Sequence, residues 1–209
     1  MLRAYLIGKR FGFKCEIVAK DPFIKINIEK SKNATLRVKG RLRFTSFFYK
    51  NQPINIVLEN NATLEIDGDL EIGGETTIYV GENAYLRIGG RCNERVFGAA
   101  ILGAVISVHK KITIGYDCLI VNGVSIIDSN FHYVAYNNVP VDPQADVTIG
   151  NNVWLCPDST VLKGSVIGDG CIVGHNSVVT GKVFPEHCFV AGIPARVIKR
   201  NCEWRSSLT

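Results

Sequence analysis

The sequence holds one methionine, seven prolines and four histidines in 209 residues. It has no C-x-x-C pair, and its seven cysteines are an odd number, scattered from Cys15 to Cys202. A disulfide framework is excluded on that count, and a reducing compartment with mostly buried thiols is expected. Long apolar runs are missing too. The longest nearly apolar stretch, Val96 to Val108, spans 13 residues, against roughly 20 for a membrane helix. Arg3, Lys9 and Arg10 near the start are followed by no cleavage-like site, so no secretory signal is expected. Helical periodicity is nearly absent, and β-branched residues are too frequent for disorder.

The net charge of +5 is unevenly laid out: residues 1–50 hold 13 Lys/Arg against 3 Asp/Glu. Either the first coils carry an ordinary solvated surface, or they attract an anionic glycolipid or membrane face. Nucleic acid is not expected as a partner, because the cations are single charges in alternating strand pattern with no binding motif.

Short alternating stretches broken by Gly, Asn and Asp fill the chain. Three copies of one phrase begin at Asn33, Asn61 and Asn83, reading Asn-Ala-Thr/Tyr-Leu and ending in glycine at Gly40, Gly68 and Gly90. Their unequal spacing suggests related coils with unequal loops. Further on, Ile149, Leu155, Val161, Ile167, Val173 and Val179 recur every six residues. Val153, Ser159, Ser165, Cys171, Ser177 and Val183 follow each by four, all small or modest. Ile114, Ile120 and Ile126, with Cys118 and Val124, obey the same rule. A six-residue period predicts a three-sided prism, with a short strand on each face and a turn at each corner. The aliphatic residues should stack along the axis about 4.8 Å apart. Gly115, Gly150, Gly168 and Gly174 follow the aliphatic position, where a tight corner leaves no room for a side chain. Stability then comes from neighbour stacking.

The register breaks between Ile126 and Ile149, and residues 133–146 are expected to leave the solenoid as a loop. Loops on rigid repeats are where function concentrates. The reading is one all-β domain over 1–209: irregular coils 1–95, regular coils 96–192 and a tail 193–209.

Several segments together resemble the hexapeptide-repeat acyltransferases, in particular their sugar and polysaccharide O-acetyltransferase branch. They are Ile112-Thr113-Ile114-Gly115, Ile126-Ile127-Asp128-Ser129-Asn130-Phe131-His132, Val147-Thr148-Ile149-Gly150-Asn151-Asn152-Val153-Trp154, and Ala191-Gly192-Ile193-Pro194-Ala195. The strict resemblance covers about residues 96–200. It implies a left-handed parallel β-helix, against the usual right-handed crossover preference. It also implies a cytoplasmic homotrimer with active sites between subunits, and direct transfer from acetyl-CoA to a sugar hydroxyl without a metal. A position at the inner face of the membrane would fit the basic first coils.

Within the resemblance His132 is the expected general base, since an imidazole titrates near neutrality. Asp128 is expected to accept from its ring N–H and fix the tautomer, with an unrelated corner carboxylate as the alternative. Asn130 and Tyr133 are candidate acceptor contacts. Trp154, alternating outward beside an inward Leu155, is expected to stack on a sugar or pack on a neighbouring subunit. Many relatives place glycine and a residue with a free amide after this strand, but here stand Cys156 and Pro157, and proline has no N–H. The Cys156 amide or a neighbouring coil would then steady the oxyanion. A Cys156 thiol nucleophile is disfavoured, with no histidine near it in sequence. Gly174, Ser177, Ala191, Gly192 and Pro194 would line the coenzyme track, with Lys199 and Arg200 either meeting its phosphates or forming a solvated tail. His109, His175 and His187 read as structural, and Cys118 and Cys171 as packing.

Four rivals remain. A zinc hydratase would need three clustered histidines, which the spacing of His109, His132, His175 and His187 does not offer. An acyltransferase fed by an acyl carrier protein usually carries a helical C-terminal domain, whereas few residues follow Ile198. An amino-sugar acceptor and a non-catalytic scaffold complete the set.

Overall fold

In the computed structural model, residues 10–12, 14–17, 24–46, 52–92 and 99–205 are described. Arg3, Lys9, the boundary placed between 95 and 96, and the last four tail residues lie outside them.

Three flat faces run the length of the molecule. One coil crosses all three: Leu119–Val121 on the first, Ser125–Ile127 on the second and Val147–Ile149 on the third. Each strand pairs in parallel with its counterpart one coil away, so Ile114 meets Ile149, Ile120 meets Leu155 and Ile126 meets Val161. The first face ends differently. Phe189–Gly192 is followed by Ala195–Lys199, which turns back antiparallel against it. This is the expected triangular β-helix.

The axis is filled by the period-six residues. Ile149, Leu155, Val161, Ile167, Val173 and Val179 are all at most 2% exposed. Ser159, Ser165 and Ser177 are fully buried at the narrow inner corners. Val183 departs from the pattern: it is 73% exposed, and Phe184 points inward instead. The corner after Val179 is one residue shorter than its predecessor, so Val183 pairs with outward Val166 and Phe184 with Ile167. One deleted residue flips the strand's faces.

The three repeated phrases stack in register on the third face, Leu36 on Leu64 on Leu86. Their alanines, Ala34, Ala62 and Ala84, fill the inner corner. Here the basic surface is partly neutralised across coils. Arg37 pairs with Glu65, and Lys39 and Arg87 both pair with Asp67, each at 2.7 Å.

The corner glycines are fixed by close approach of backbone. A Cβ on Gly115 would lie 2.5 Å from the Gly150 carbonyl oxygen, and one on Gly168 would lie 2.5 Å from the Glu186 nitrogen. Among the described residues no helix is long and apolar enough to cross a membrane.

Candidate active site

His132 stands where the second face would turn into the third. The inner strand Ser125–Ile127 ends, Asp128 and Ser129 are buried, and Asn130, Phe131 and His132 emerge into solvent. Phe131 adopts a left-handed conformation (φ 61°), and its amide donates to the Ser129 hydroxyl. The His132 amide donates to the Asn130 carbonyl at 2.7 Å. The imidazole itself is exposed and has no hydrogen-bond partner among the described residues.

Beyond it the expected loop has structure of its own. Val134–Tyr136 and Val139–Val141 form an antiparallel hairpin around Asn137 and Asn138, both with positive φ. An Asn-Asn pair between alternating strands is the signal of a primed turn, and it stood in the sequence unread. The hairpin's foot is clamped. Asn130 donates to the Pro143 carbonyl, and Ala145 donates to the Asp128 carbonyl. Tyr133, Tyr136 and Val139 are 64–74% exposed on this arm.

No hydrogen bond joins the Asp128 carboxylate to the His132 ring. The Asp128 side chain is fully buried. Its two oxygens accept the backbone N–H groups of His109 at 2.7 Å and Lys110 at 2.9 Å, in the coil before. The carboxylate therefore ties the root of the His132 turn to the neighbouring corner.

Trp154 lies on the first face, not beside His132. It is half-buried, and its indole N–H has no partner. Its ring is 5.8 Å from that of Trp204, which the C-terminal tail brings back along the corner. That tail is pinned by the Cys202 amide donating to the His187 carbonyl and by Trp204 Nε1 donating to the Asn152 carbonyl at 2.7 Å.

Two expectations about the coenzyme track are corrected. The Cys156 amide donates to the Val173 carbonyl at 2.9 Å within the parallel ladder, so it is not a free oxyanion donor. Burial pushes the Cys156 thiol up to about 11, which keeps it protonated at neutral pH. Ser177 is fully buried inside the solenoid, and its hydroxyl accepts from the Gly192 amide; it cannot face a cofactor outside. Cys156, Gly174 and Ala191 do follow one another along one corner, and a Cβ on Gly174 would lie 3.1 Å from that of Ala191. Gly192 and Pro194 are exposed beyond it, as are Lys199 at the end of the returning strand and Arg200 just after it. Among the described residues no group of three or more His, Cys, Asp or Glu could hold a metal ion.

These features define a class: a triangular β-helix with a free imidazole at the foot of a protruding arm. A model of the family described as bacterial transferase hexapeptide (six repeats) matches residues 146–181. The chain is 32% identical over 169 residues to WbbJ of Escherichia coli (strain K12), described as a lipopolysaccharide biosynthesis O-acetyl transferase. That match covers 76% of this chain and 78% of the other. It is 31% identical over 150 residues to a polysialic acid O-acetyltransferase of Neisseria meningitidis, covering 69% and 66%. The crystal structure of the polySia-specific acetyltransferase NeuO aligns with a TM-score of 0.59 at 24% identity, over 90% of this chain and 91% of that one; this bears on the fold. The chain belongs to the hexapeptide-repeat acetyltransferase family, related to the sugar and polysaccharide O-acetyltransferases.

Proposed function

We propose that the protein transfers the acetyl group of acetyl-CoA to a hydroxyl of a sugar or polysaccharide precursor in the cytoplasm, with His132 as general base. The observation that carries this reading is the solvent-facing, unpartnered His132 ring on a rigid corner. The acceptor oxygen attacks the thioester carbonyl as His132 takes its proton. The tetrahedral intermediate then collapses, the C–S bond breaks, and the imidazolium returns the proton to the leaving thiolate. The acyl group goes directly from sulfur to oxygen, and no acyl-enzyme forms.

The distribution of residues over the faces supports assembly from more than one copy. His132 ends the second face and Trp154 lies on the first, so one prism does not turn both toward one ligand. A homotrimer with sites at the seams would bring the two together from neighbouring copies. The lane at Cys156, Gly174 and Ala191 suits the thin pantetheine arm, with Lys199 and Arg200 as cations for its phosphates. Asn130 and Tyr133 would contact the acceptor.

The test is thiol release from acetyl-CoA over a panel of sugars and glycan fragments. His132→Ala should lower kcat by about 10²–10⁴-fold with little change in either KM. Full activity in that variant would remove the mechanism.

A further inference from the structure

The outward residues of the second face lead away from His132 toward the N-terminal coils. One column reads Asn27, Asn55, Thr77, then Val105. Beside it the column reads Glu29, Val57, Tyr79 and Ser107. On the third face one outward column is charged, Arg37, Glu65 and Arg87 in turn, and the other reads Thr35, Thr63 and Tyr85. Amides, hydroxyls and an aromatic ring, with little charge, are the groups that recognise a polyol.

At the end nearest the candidate base these residues meet an aromatic cluster. The His109 ring lies 4.8 Å from that of Phe131, edge to face at 84°, and 5.5 Å from that of Tyr79. Ser107 Oγ and His109 Nε2 are 3.1 Å apart, which fixes the imidazole plane. The Tyr79 hydroxyl has no partner among the described residues, and Phe131 is 56% exposed. Gly81 is buried beneath them, where a Cβ would lie 3.1 Å from the Val108 carbonyl oxygen and 3.4 Å from the Tyr79 ring. Asp128 binds the backbone of His109 and forms the root of the His132 turn, so the cluster and the base are held in one rigid frame.

We propose that this surface is a subsite for the acceptor chain, binding the sugar units that precede the acetylated one along Phe131, His109 and Tyr79. The proposal rests on the function given above and deepens it: the acceptor is an oligosaccharide or polymer, not a free monosaccharide. Strands are about 4.8 Å apart, close to the advance of one pyranose along a chain. Tyr79, two strands before Ser125–Ile127, therefore meets a unit two removed from the reacting hydroxyl. Aromatic faces take the apolar side of the sugar ring, and the Tyr79 hydroxyl and the Asn55 and Thr77 side chains take its hydroxyls.

The experiment uses mono- to tetrasaccharides of the best acceptor found in the sugar panel, with wild type, Tyr79→Ala, Tyr79→Phe and His109→Ala. Loss of one stacked ring should raise the acceptor KM roughly 3- to 10-fold for tri- and tetrasaccharides. The monosaccharide KM, the acetyl-CoA KM and kcat should not move, and Tyr79→Phe, which keeps the ring and loses the hydroxyl, should raise the long-acceptor KM by less than Tyr79→Ala does. An unchanged KM for long acceptors in Tyr79→Ala and His109→Ala overturns the subsite while leaving the transferase reading intact. If Tyr79→Ala instead dissociates the oligomer in light scattering, the face is an interface between copies and the proposal fails. Absence of transfer by wild type to every sugar removes the functional reading, and the subsite with it.

Discussion

Replacing Asp128 separates two accounts of the same carboxylate. Its oxygens accept two backbone amides, His109 at 2.7 Å and Lys110 at 2.9 Å, in a fully buried setting. Hydrogen bonds to a charged group are worth about 1.5–3 kcal/mol each, and an amide left buried without an acceptor costs about as much. Asp128→Ala should therefore destabilise the protein by about 3–5 kcal/mol. At about 2–4 °C per kcal/mol for a chain of this size, the thermal midpoint should fall by about 6–20 °C. Asp128→Asn keeps one acceptor oxygen but turns an N–H₂ group toward a second donor, so it should lose an intermediate amount. Circular dichroism melts give the midpoint, and transfer kinetics are measured well below the lowest of them. A carboxylate that instead oriented His132 would behave differently: Asp128→Asn would keep its midpoint within about 2 °C and lose kcat as His132→Ala does. That pair of results would refute the backbone role.

Gly115→Ala would push a Cβ to 2.5 Å from the Gly150 carbonyl oxygen and 2.6 Å from Asn151 Oδ1. The coils must separate locally, so urea denaturation should show a loss of about 1–3 kcal/mol. Cys156, whose thiol burial pushes up to about 11, should react slowly with iodoacetamide at pH 8, and Cys156→Ser should keep full transfer activity. Because its folded value is raised above the ordinary 9.0, its contribution to stability is whole below pH 9 and is lost as pH rises through about 11. A midpoint that falls already between pH 7 and 8.5 through this thiol, shown by Cys156→Ser removing the fall, would contradict it.

The solenoid was legible because one physical constraint repeats. Each inward aliphatic must land on the same axis, so the six-residue spacing from Ile149 to Val179 states the geometry directly, and all six residues are buried. The constraint stops being legible wherever a corner gains or loses a residue. Val183 obeys the spacing yet faces solvent, because the preceding corner is one residue short. No local feature marks that deletion; only the size of Phe184, an apolar side chain with no other place to go, hints at it. On the arm, the alternation of Val134, Tyr136, Val139 and Val141 is confined to two three-residue strands around Asn137 and Asn138, too short to stand out from the turn formers beside them.

At the candidate site the hydrogen-bond partners of Asp128 lie one coil back, at His109 and Lys110, and not four residues on at His132. In a solenoid with three six-residue sides, the residues about 18 away stack one coil off at about 4.8 Å, nearer than a residue four positions along an extended strand. The same arithmetic brings Asn151 against Asp169, 18 residues on, at 2.9 Å. It sets Cys156 beside Gly174, and in a parallel ladder its amide must then find a carbonyl of that coil, as it does at Val173. Applied upward from Asp128, it brings His109 out of the structural background and places it beside the His132 turn. The step fails across the arm, where Ile114 and Ile149 are 35 residues apart yet adjacent. The chemistry of this fold is thus written at coil spacing, and it can be read from sequence wherever the coil length is constant.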